Sequence, residues 1–176
     1  MADVRRQIAG RRSNAAGNMF ENMLSASCEY YREKGIAIVE KTPEPMRPLK
    51  PYGDRSRGQY IACFEKQAQP DYKGVLCDGT AIIFEAKHTD GDRITEAVIT
   101  ETQRQSLNDF GKMGAQCFVM VSMGFQEFFR VPWKIFSSMK ENFGRKYMKP
   151  GELEPYKLKQ YRGTLLILEG VEINEN

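Results

Sequence analysis

The chain has 176 residues, 41% hydrophobic and 11% aromatic, and a formal net charge of +3. This length and apolar content predict a single domain, residues 1–176, with a sizeable core. No apolar run approaches the roughly 20 residues of a membrane-spanning helix, and no apolar block follows the N-terminal arginines as in a secretory signal. The four cysteines are scattered and there is one histidine, so neither a zinc site nor a disulfide framework is indicated. We therefore expect a cytoplasmic protein without a membrane partner.

Basic residues are concentrated in two segments. Residues 1–13 contain Arg5, Arg6, Arg11 and Arg12 without apolar periodicity, which is typical of a flexible, solvated arm. Residues 130–162 carry nine Lys or Arg against three Glu. If these segments lie on one face, they suit phosphate groups.

The first predicted element is an amphipathic helix over residues 15–34. Its apolar residues recur every three or four positions: Met19, Phe20, Met23, Leu24, Cys28 and Tyr31. Ser13 or Asn14 would cap its start, and Gly35 follows its end. The run "GIAIVEK" then predicts a short strand, which a series of prolines terminates.

Residues 44–66 differ in composition, being rich in proline, glycine, tyrosine and basic residues. Alternating Tyr60, Ala62 and Phe64 predict one strand near the end of this segment. We expect the segment to extend from the body of the domain, outside the core.

The remaining elements alternate between strands and helices. Two apolar runs in "DYKGVLCDGTAIIFEAK" are joined by Asp78-Gly79, a dipeptide that favours a tight turn between antiparallel strands. Residues 94–113 predict a surface helix in their second half, and "QCFVMVSM" and "FQEFFRV" predict strands hinged at Gly124. Pro132 opens a helix through Lys140 to Phe143, and "GTLLILE" predicts a closing strand. This order indicates an α/β fold with a mixed central sheet.

One group of charged residues in this pattern could support chemistry. Side chains alternate along a strand, so Glu85 and Lys87 share one face. The hairpin brings Asp71 back beside them. Asp71 is one residue farther from the turn than Glu85, and a bulge or frayed end would absorb this difference. Two converging carboxylates suit Mg²⁺, and a neighbouring lysine can orient an attacking water or offset phosphoryl charge, as in phosphodiester hydrolysis. The alternative is a turn-capping Asp71 and an exposed ion pair worth about 1 kcal/mol or less.

The spacing resembles a known nuclease signature. Pro70-Asp71 followed by Glu85-Ala86-Lys87 is similar to PD...(D/E)xK, and the likeness extends to the RecU-type Holliday junction resolvases. The matching segments occur in the same order over residues 14–149: "GNMFENMLSASCEYYREKGIAIVEKTPEP", "PDYKGV", "IIFEAKHT", the glutamine of "ITETQRQSL", "CFVMVS" and "FGRKYM". The resemblance implies a restriction-endonuclease-like mixed β-sheet flanked by helices.

The resemblance also implies roles for individual residues. Asp71 and Glu85 match metal-ligating carboxylates, Lys87 the catalytic lysine, and Gln103 the glutamine that completes the metal site. Glu21 matches an acidic residue of the first helix that in many related nucleases approaches the metal; the alternative is a solvated glutamate. Gln69 stands where the family tends to have threonine, and the Asp71 to Glu85 spacing is one residue longer than usual.

Residues 44–66 correspond to the stalk that, in the family, enters a four-way junction. The expected phosphate contacts are Arg11 and Arg12 of the basic arm and Lys50, Arg55, Arg57 and Lys66 of the stalk. Tyr52 or Tyr60 could stack on an unpaired base. His88 should face away from the site, and Trp133 is expected to anchor the core or an interface.

The sequence therefore predicts a homodimeric, Mg²⁺-dependent endodeoxyribonuclease, with Mn²⁺ able to substitute, that resolves Holliday junctions by paired symmetric nicks. Two equivalent cuts need two sites related by a twofold axis. Two alternatives are a related nuclease acting on flaps or duplex DNA, and a catalytically silent protein that binds branched DNA.

Overall fold

A computed structural model describes residues 2–43, 45–54, 57–64 and 69–173, with side chains described from residue 15 onward. The first half of the chain contains α1 (Ala2–Glu33), β1 (Ala37–Lys41), β2 (Met46–Pro51), β3 (Tyr60–Phe64), β4 (Tyr72–Leu76) and β5 (Ala81–Thr89). The second half contains β6 (Ile94–Thr95), α2 (Glu101–Lys112), β7 (Gln116–Met123), β8 (Glu127–Pro132), α3 (Trp133–Phe136), α4 (Met139–Phe143), β9 (Tyr147–Met148), α5 (Pro150–Leu153), β10 (Gln160–Tyr161) and β11 (Thr164–Leu165). Within these residues, no helix is long and apolar enough to cross a membrane.

The core of the fold is a five-stranded sheet in the order β1-β4-β5-β7-β8. Strands β5 and β7 are parallel, and the other neighbouring pairs are antiparallel. Helix α2 makes the crossover between the parallel strands, as parallel pairing requires. The predicted α/β fold with a mixed sheet flanked by helices is confirmed.

The alternation of side chains along the strands divides the core into two layers. On one face, Phe20 and Leu24 of α1 pack in a cluster with Phe84. On the other face, Leu107 of α2 packs in a cluster with Ile83. Because Glu85 and Lys87 continue the Ile83 side of β5, the candidate site faces α2 and not α1.

The β4–β5 hairpin turns through a three-residue loop centred on Asp78. The Leu76 amide donates to the Thr80 carbonyl, and Gly79 has a φ of 86°, the left-handed conformation that such a loop requires. Asp71 precedes Asp78 by seven residues and Glu85 follows it by seven, so the two are in register. The bulge expected from a turn between Asp78 and Gly79 is therefore absent from this hairpin.

Three predicted boundaries are wrong. Helix α1 begins at Ala2 and not near Ser13, because residues 2–12 contain good helix formers and no proline. The helix after Pro132 is divided into α3 and α4 at Ser137 and Ser138. Residues 163–169 do not close the central sheet: only Thr164–Leu165 is a strand, and it pairs with β10.

Strands β2 and β3 form a hairpin separate from the central sheet. Strands β2 and β3 pair with each other in a two-stranded sheet, with a register shift between Pro48 and Lys50. All of their residues are exposed except Cys63, which is partly buried. The predicted strand at Tyr60–Phe64 is confirmed, and two prolines are accommodated in β2 because each of its residues has a partner strand on one side only.

Gly74 allows the edge strand β1 to approach β4. A Cβ atom at Gly74 would lie 2.1 Å from the Ile38 carbonyl oxygen and 2.5 Å from Val39 Cα. We expect Gly74→Ala to lower the free energy of unfolding by about 2 kcal/mol or more, measured by urea denaturation, because the edge strand must shift. Gly17→Ala is the control, since nothing lies within 4 Å of its added Cβ. Equal stability of Gly74→Ala and the unmodified protein would contradict this β1–β4 packing.

Candidate active site

Asp71, Glu85 and Lys87 converge where β4 and β5 meet. Tyr72 pairs with Phe84, so the next position outward places Asp71 opposite Glu85. Asp71 Oδ2 accepts a hydrogen bond from the Ala86 amide at 2.9 Å. Lys87 Nζ lies 3.8 Å from Asp71 Oδ2 and 3.4 Å from Glu85 Oε2. The predicted proximity of these three groups is therefore present.

Helix α2 adds Gln103 to this group. Gln103 Nε2 donates to Glu85 Oε2 at 2.5 Å. Its Oε1 accepts from the Thr100 amide at 3.1 Å, and Thr100 Oγ1 accepts from the Gln103 amide, which completes a capping box at the start of the helix. Gln103 is thereby held against Glu85, and direct ligation of a cation by its oxygen would require the amide group to turn.

Glu85 is fully buried, which is unusual for a carboxylate. Burial, together with the negative charge of Asp71, raises the pKa of Glu85 to about 8 from an ordinary value of 4.5, and Lys87 acts in the opposite direction. Its Oε1 atom makes no hydrogen bond with any residue that the structure describes. Without a cation, the site therefore favours the protonated form of Glu85, and a bound divalent cation would favour the carboxylate.

These features fit a divalent cation. An orphaned carboxylate oxygen and two adjacent carboxyl groups suit Mg²⁺, which needs one or two protein carboxylates and keeps waters and substrate phosphates as further ligands. Across the described ranges no three His, Cys, Asp or Glu side chains are grouped as a metal site. Asp71 and Glu85 are therefore the two carboxylates at this strand end that could hold a cation.

Three other polar residues considered from the sequence form contacts with residues outside the Asp71, Glu85, Lys87 and Gln103 group. Glu21 Oε2 pairs with Lys41 Nζ at 2.6 Å, and Gln69 accepts from Lys73. His88 hydrogen-bonds Ser122 and Asp90 and stacks on Phe125, so it does not face Glu85.

Trp133 is buried and donates to Asn108, which agrees with its expected role as an anchor.

The predicted DNA contacts are only partly described. Lys50 and Arg57 are exposed in or beside the β2–β3 hairpin, as are Tyr52 and Tyr60. Arg55 and Lys66 lie outside the described residues. Arg11 and Arg12 lie in α1, but their side chains are not among those that the structure describes.

Two further threonines support the site. The Thr100–Gln103 spacing is that of a capping box and is visible in the sequence. Thr42 gave no such signal: its amide donates to the Asp71 carbonyl at 2.8 Å, and its hydroxyl is buried without a partner in the described part of the chain. Only the pairing of β1 with β4 brings Thr42 beside Asp71.

Comparison with known proteins places the chain among recombination proteins. The family model "RecU: Recombination protein U" matches residues 15–172. Holliday junction resolvase RecU of Streptococcus pneumoniae (strain Taiwan19F-14) is 30% identical over 145 residues, covering 80% of this chain and 73% of that protein. The resolvase RecU of Streptococcus oralis is 40% identical over 75 residues, covering 42% and 37%.

A third relative and a solved structure were also found. The resolvase RecU of Streptococcus gordonii is 31% identical over 133 residues, covering 72% of this chain and 58% of that protein. The structure of Hjc, a Holliday junction resolvase from Archaeoglobus fulgidus, aligns with a TM-score of 0.47 at 12% identity, covering 80% of this chain and 93% of that one. Because the family model extends over nearly the whole chain, this protein belongs to the RecU family.

Proposed function

We propose that this protein is a Mg²⁺-dependent endodeoxyribonuclease that resolves four-way DNA junctions by paired symmetric nicks. The observation that carries the proposal is the convergence of Asp71, Glu85, Lys87 and Gln103 at one strand end. Membership of the RecU family supports it, since the relatives compared above are named Holliday junction resolvases.

Each residue of the site has a distinct proposed role. Asp71 and Glu85 would hold the cation, and Gln103 orients Glu85 and can complete the ligand set if its amide turns. When bound, Mg²⁺ would supply Lewis-acid stabilisation of the charge that develops on the phosphate. Lys87 donates hydrogen bonds beside the carboxylates, so it can hold the attacking water in line with the phosphorus.

Paired nicks in two strands require a second active site. Two cuts in strands of like polarity are related by a twofold axis, so we propose a homodimer in which each copy contributes one site. The β2–β3 hairpins would enter the junction, where phosphate contacts and DNA shape select the substrate.

Cleavage of a synthetic mobile four-way junction tests the proposal. We expect two symmetric nicks with Mg²⁺ or Mn²⁺ and none with a chelator. Parallel reactions with a flap and a plain duplex separate the resolvase from a nuclease of other specificity, which would cut those substrates at least as well. Junction binding without nicking under any metal condition would instead indicate a catalytically silent binding protein.

The exposed basic residues of the hairpin give a separate prediction. Lys50→Ala and Arg57→Ala should each weaken junction binding and reduce the dependence of log K on log salt by about 1, because each removes one phosphate contact. Binding is measured by fluorescence anisotropy at several salt concentrations. Lys34→Ala, which removes an exposed lysine at the end of α1, is the control. Unchanged salt slopes for both hairpin variants would remove the hairpin from the DNA-binding surface.

A further inference from the structure

A cavity of about 1030 Å³ lies at the end of the sheet where β7 begins and β8 ends. Its walls come from the last turns of α2, from Phe118, Pro132 and Trp133, and from residues 170–172 of the C-terminal segment. We call it the Arg130 cavity. Gln103 and Lys112 are nine residues apart on α2, about 14 Å along the helix axis, so the cavity and the candidate active site lie toward opposite ends of this helix.

The charge of the cavity lining is predominantly positive. Among the described residues that form it, Lys112, Arg130 and Lys134 are cationic and Glu172 is the acidic member. Lys112 has Asp109 as a weak partner at 3.5 Å, and both side chains are exposed. Lys134 is exposed and has no carboxylate within 4 Å in the described part of the chain.

Arg130 is the residue of the lining whose hydrogen-bond donors are only partly paired. Its Nη1 donates to the Ile167 carbonyl at 2.8 Å, and its guanidinium lies over the Phe118 ring at 5.2 Å. Its Nε and Nη2 make no hydrogen bond with a described residue. Burial lowers the pKa of Arg130, and the negative charge of Glu169 acts in the opposite direction from beyond ion-pair distance. Desolvation of a partly buried guanidinium is costly unless a carboxylate pairs with it directly, and Glu169 is paired with Lys159 instead.

We propose that the Arg130 cavity is a docking site for a short acidic segment of a partner protein. A carboxylate of that segment pairs with the free edge of Arg130, whose planar fork matches carboxylate geometry. A neighbouring apolar side chain packs against the wall formed by Phe118, Pro132 and Trp133. The lysines at the rim repel basic competitors and favour acidic ones.

The geometry favours an acidic peptide over DNA. The cavity combines a partly buried guanidinium with aromatic and aliphatic walls, which suits an apolar group bearing a carboxylate. A duplex backbone needs an open basic surface instead, and the cavity lies away from the carboxylates proposed to act on DNA. Docking here would leave the candidate active site accessible, and this inference does not depend on the proposed nuclease activity.

The fluorescence of Trp133, the single tryptophan of the chain, provides the test. The full chain is titrated with the peptide acetyl-Asp-Leu-Asp-Phe bearing a free terminal carboxylate, and separately with the neutral peptide acetyl-Asn-Leu-Asn-Phe-amide. We expect a saturable emission change with the acidic peptide and binding at least tenfold weaker with the neutral one. Calorimetry gives the dissociation constants independently.

Three variants locate the binding to the cavity. Arg130→Lys keeps the charge but not the fork, and Lys134→Glu reverses charge at the rim; each should weaken binding at least fivefold. Lys140→Glu changes charge outside the cavity lining and should change binding less than twofold. If Arg130→Lys fails to fold, the exposed Lys134→Glu variant carries the test alone.

Several outcomes would overturn the proposal. These are equal affinity for the two peptides, no saturable binding of the acidic one, or unchanged binding by Lys134→Glu. Displacement of the peptide by duplex DNA, or loss of junction binding in Arg130→Lys, would assign the cavity to DNA instead. Junction cleavage by Arg130→Lys within twofold of the unmodified rate shows that peptide docking is separate from the active site.

Discussion

The Asp71→Asn variant is expected to cleave a four-way junction at least roughly 10²–10³-fold more slowly than the unmodified protein in Mg²⁺. The change removes one of two carboxylates that would hold the cation but keeps the shape of the side chain. An asparagine oxygen can still accept the bond from the Ala86 amide, so the strand end should remain in place. Junction binding should therefore stay within about threefold, since phosphate contacts supply most of the affinity.

Single-turnover cleavage of a labelled junction measures the rate, and anisotropy in Ca²⁺ measures binding. Glu85→Gln and Lys87→Ala should show the same loss of cleavage with retained binding. Asp109→Asn is the matched control, because Asp109 is exposed on α2 and belongs to no part of the site. Nicking by Asp71→Asn at the unmodified rate would remove this strand end from the chemistry.

Glu85→Gln is expected to stabilise the protein by roughly 4 kcal/mol at pH 8 when a chelator is present. Burial and Asp71 raise the pKa of Glu85 to about 8 in the folded state, against an ordinary value of 4.5. Between these two values the folded state binds more protons than the unfolded state, so stability falls as pH rises from 4.5 to 8. Glutamine does not ionise and removes this unfavourable contribution.

Urea denaturation from pH 4.5 to 8.5 measures the difference between Glu85→Gln and the unmodified protein. That difference should be small at pH 4.5, grow with pH and level off above pH 8. Mg²⁺ should raise the stability of the unmodified protein at pH 8 but have a smaller effect on Glu85→Gln, because a ligand stabilises only the state that binds it. Glu141→Gln, at an exposed position on α4, controls for the loss of a charge. A pH-independent difference would show that Glu85 is not a buried, ionisable group.

The hairpin and its charged face could be predicted because they depend on local rules. Alternation along β5 assigns Glu85 and Lys87 to one face, and Asp78-Gly79 indicates a turn that returns Asp71 to them. The number of residues in the loop could not be predicted in this way. Loops of two and three residues share the same turn residues, and the register of the strand ends distinguishes them.

Two of the wrong predictions have separate physical causes. The N-terminal segment lacks an apolar stripe, yet its residues can continue a helix that is already formed, since propagation costs less than nucleation. The segment "GTLLILE" has the composition of a buried strand, but only Leu165 reaches the α1 face of the core from a strand, and Ile167 and Leu168 reach it from a turn. Composition indicates that a residue will be buried and does not indicate which backbone conformation buries it.

By itself, the sequence determined the mixed α/β character of the fold, the strand that carries Glu85 and Lys87, and the family to which the chain belongs. Only the tertiary structure decided that Glu85 is buried, that Gln103 is held against it, and that Arg130 borders a cavity without an ion pair to any described carboxylate. The division has a physical reason. Periodicity and turn chemistry act between residues close in the chain, whereas desolvation and charge compensation depend on segments that meet only after folding.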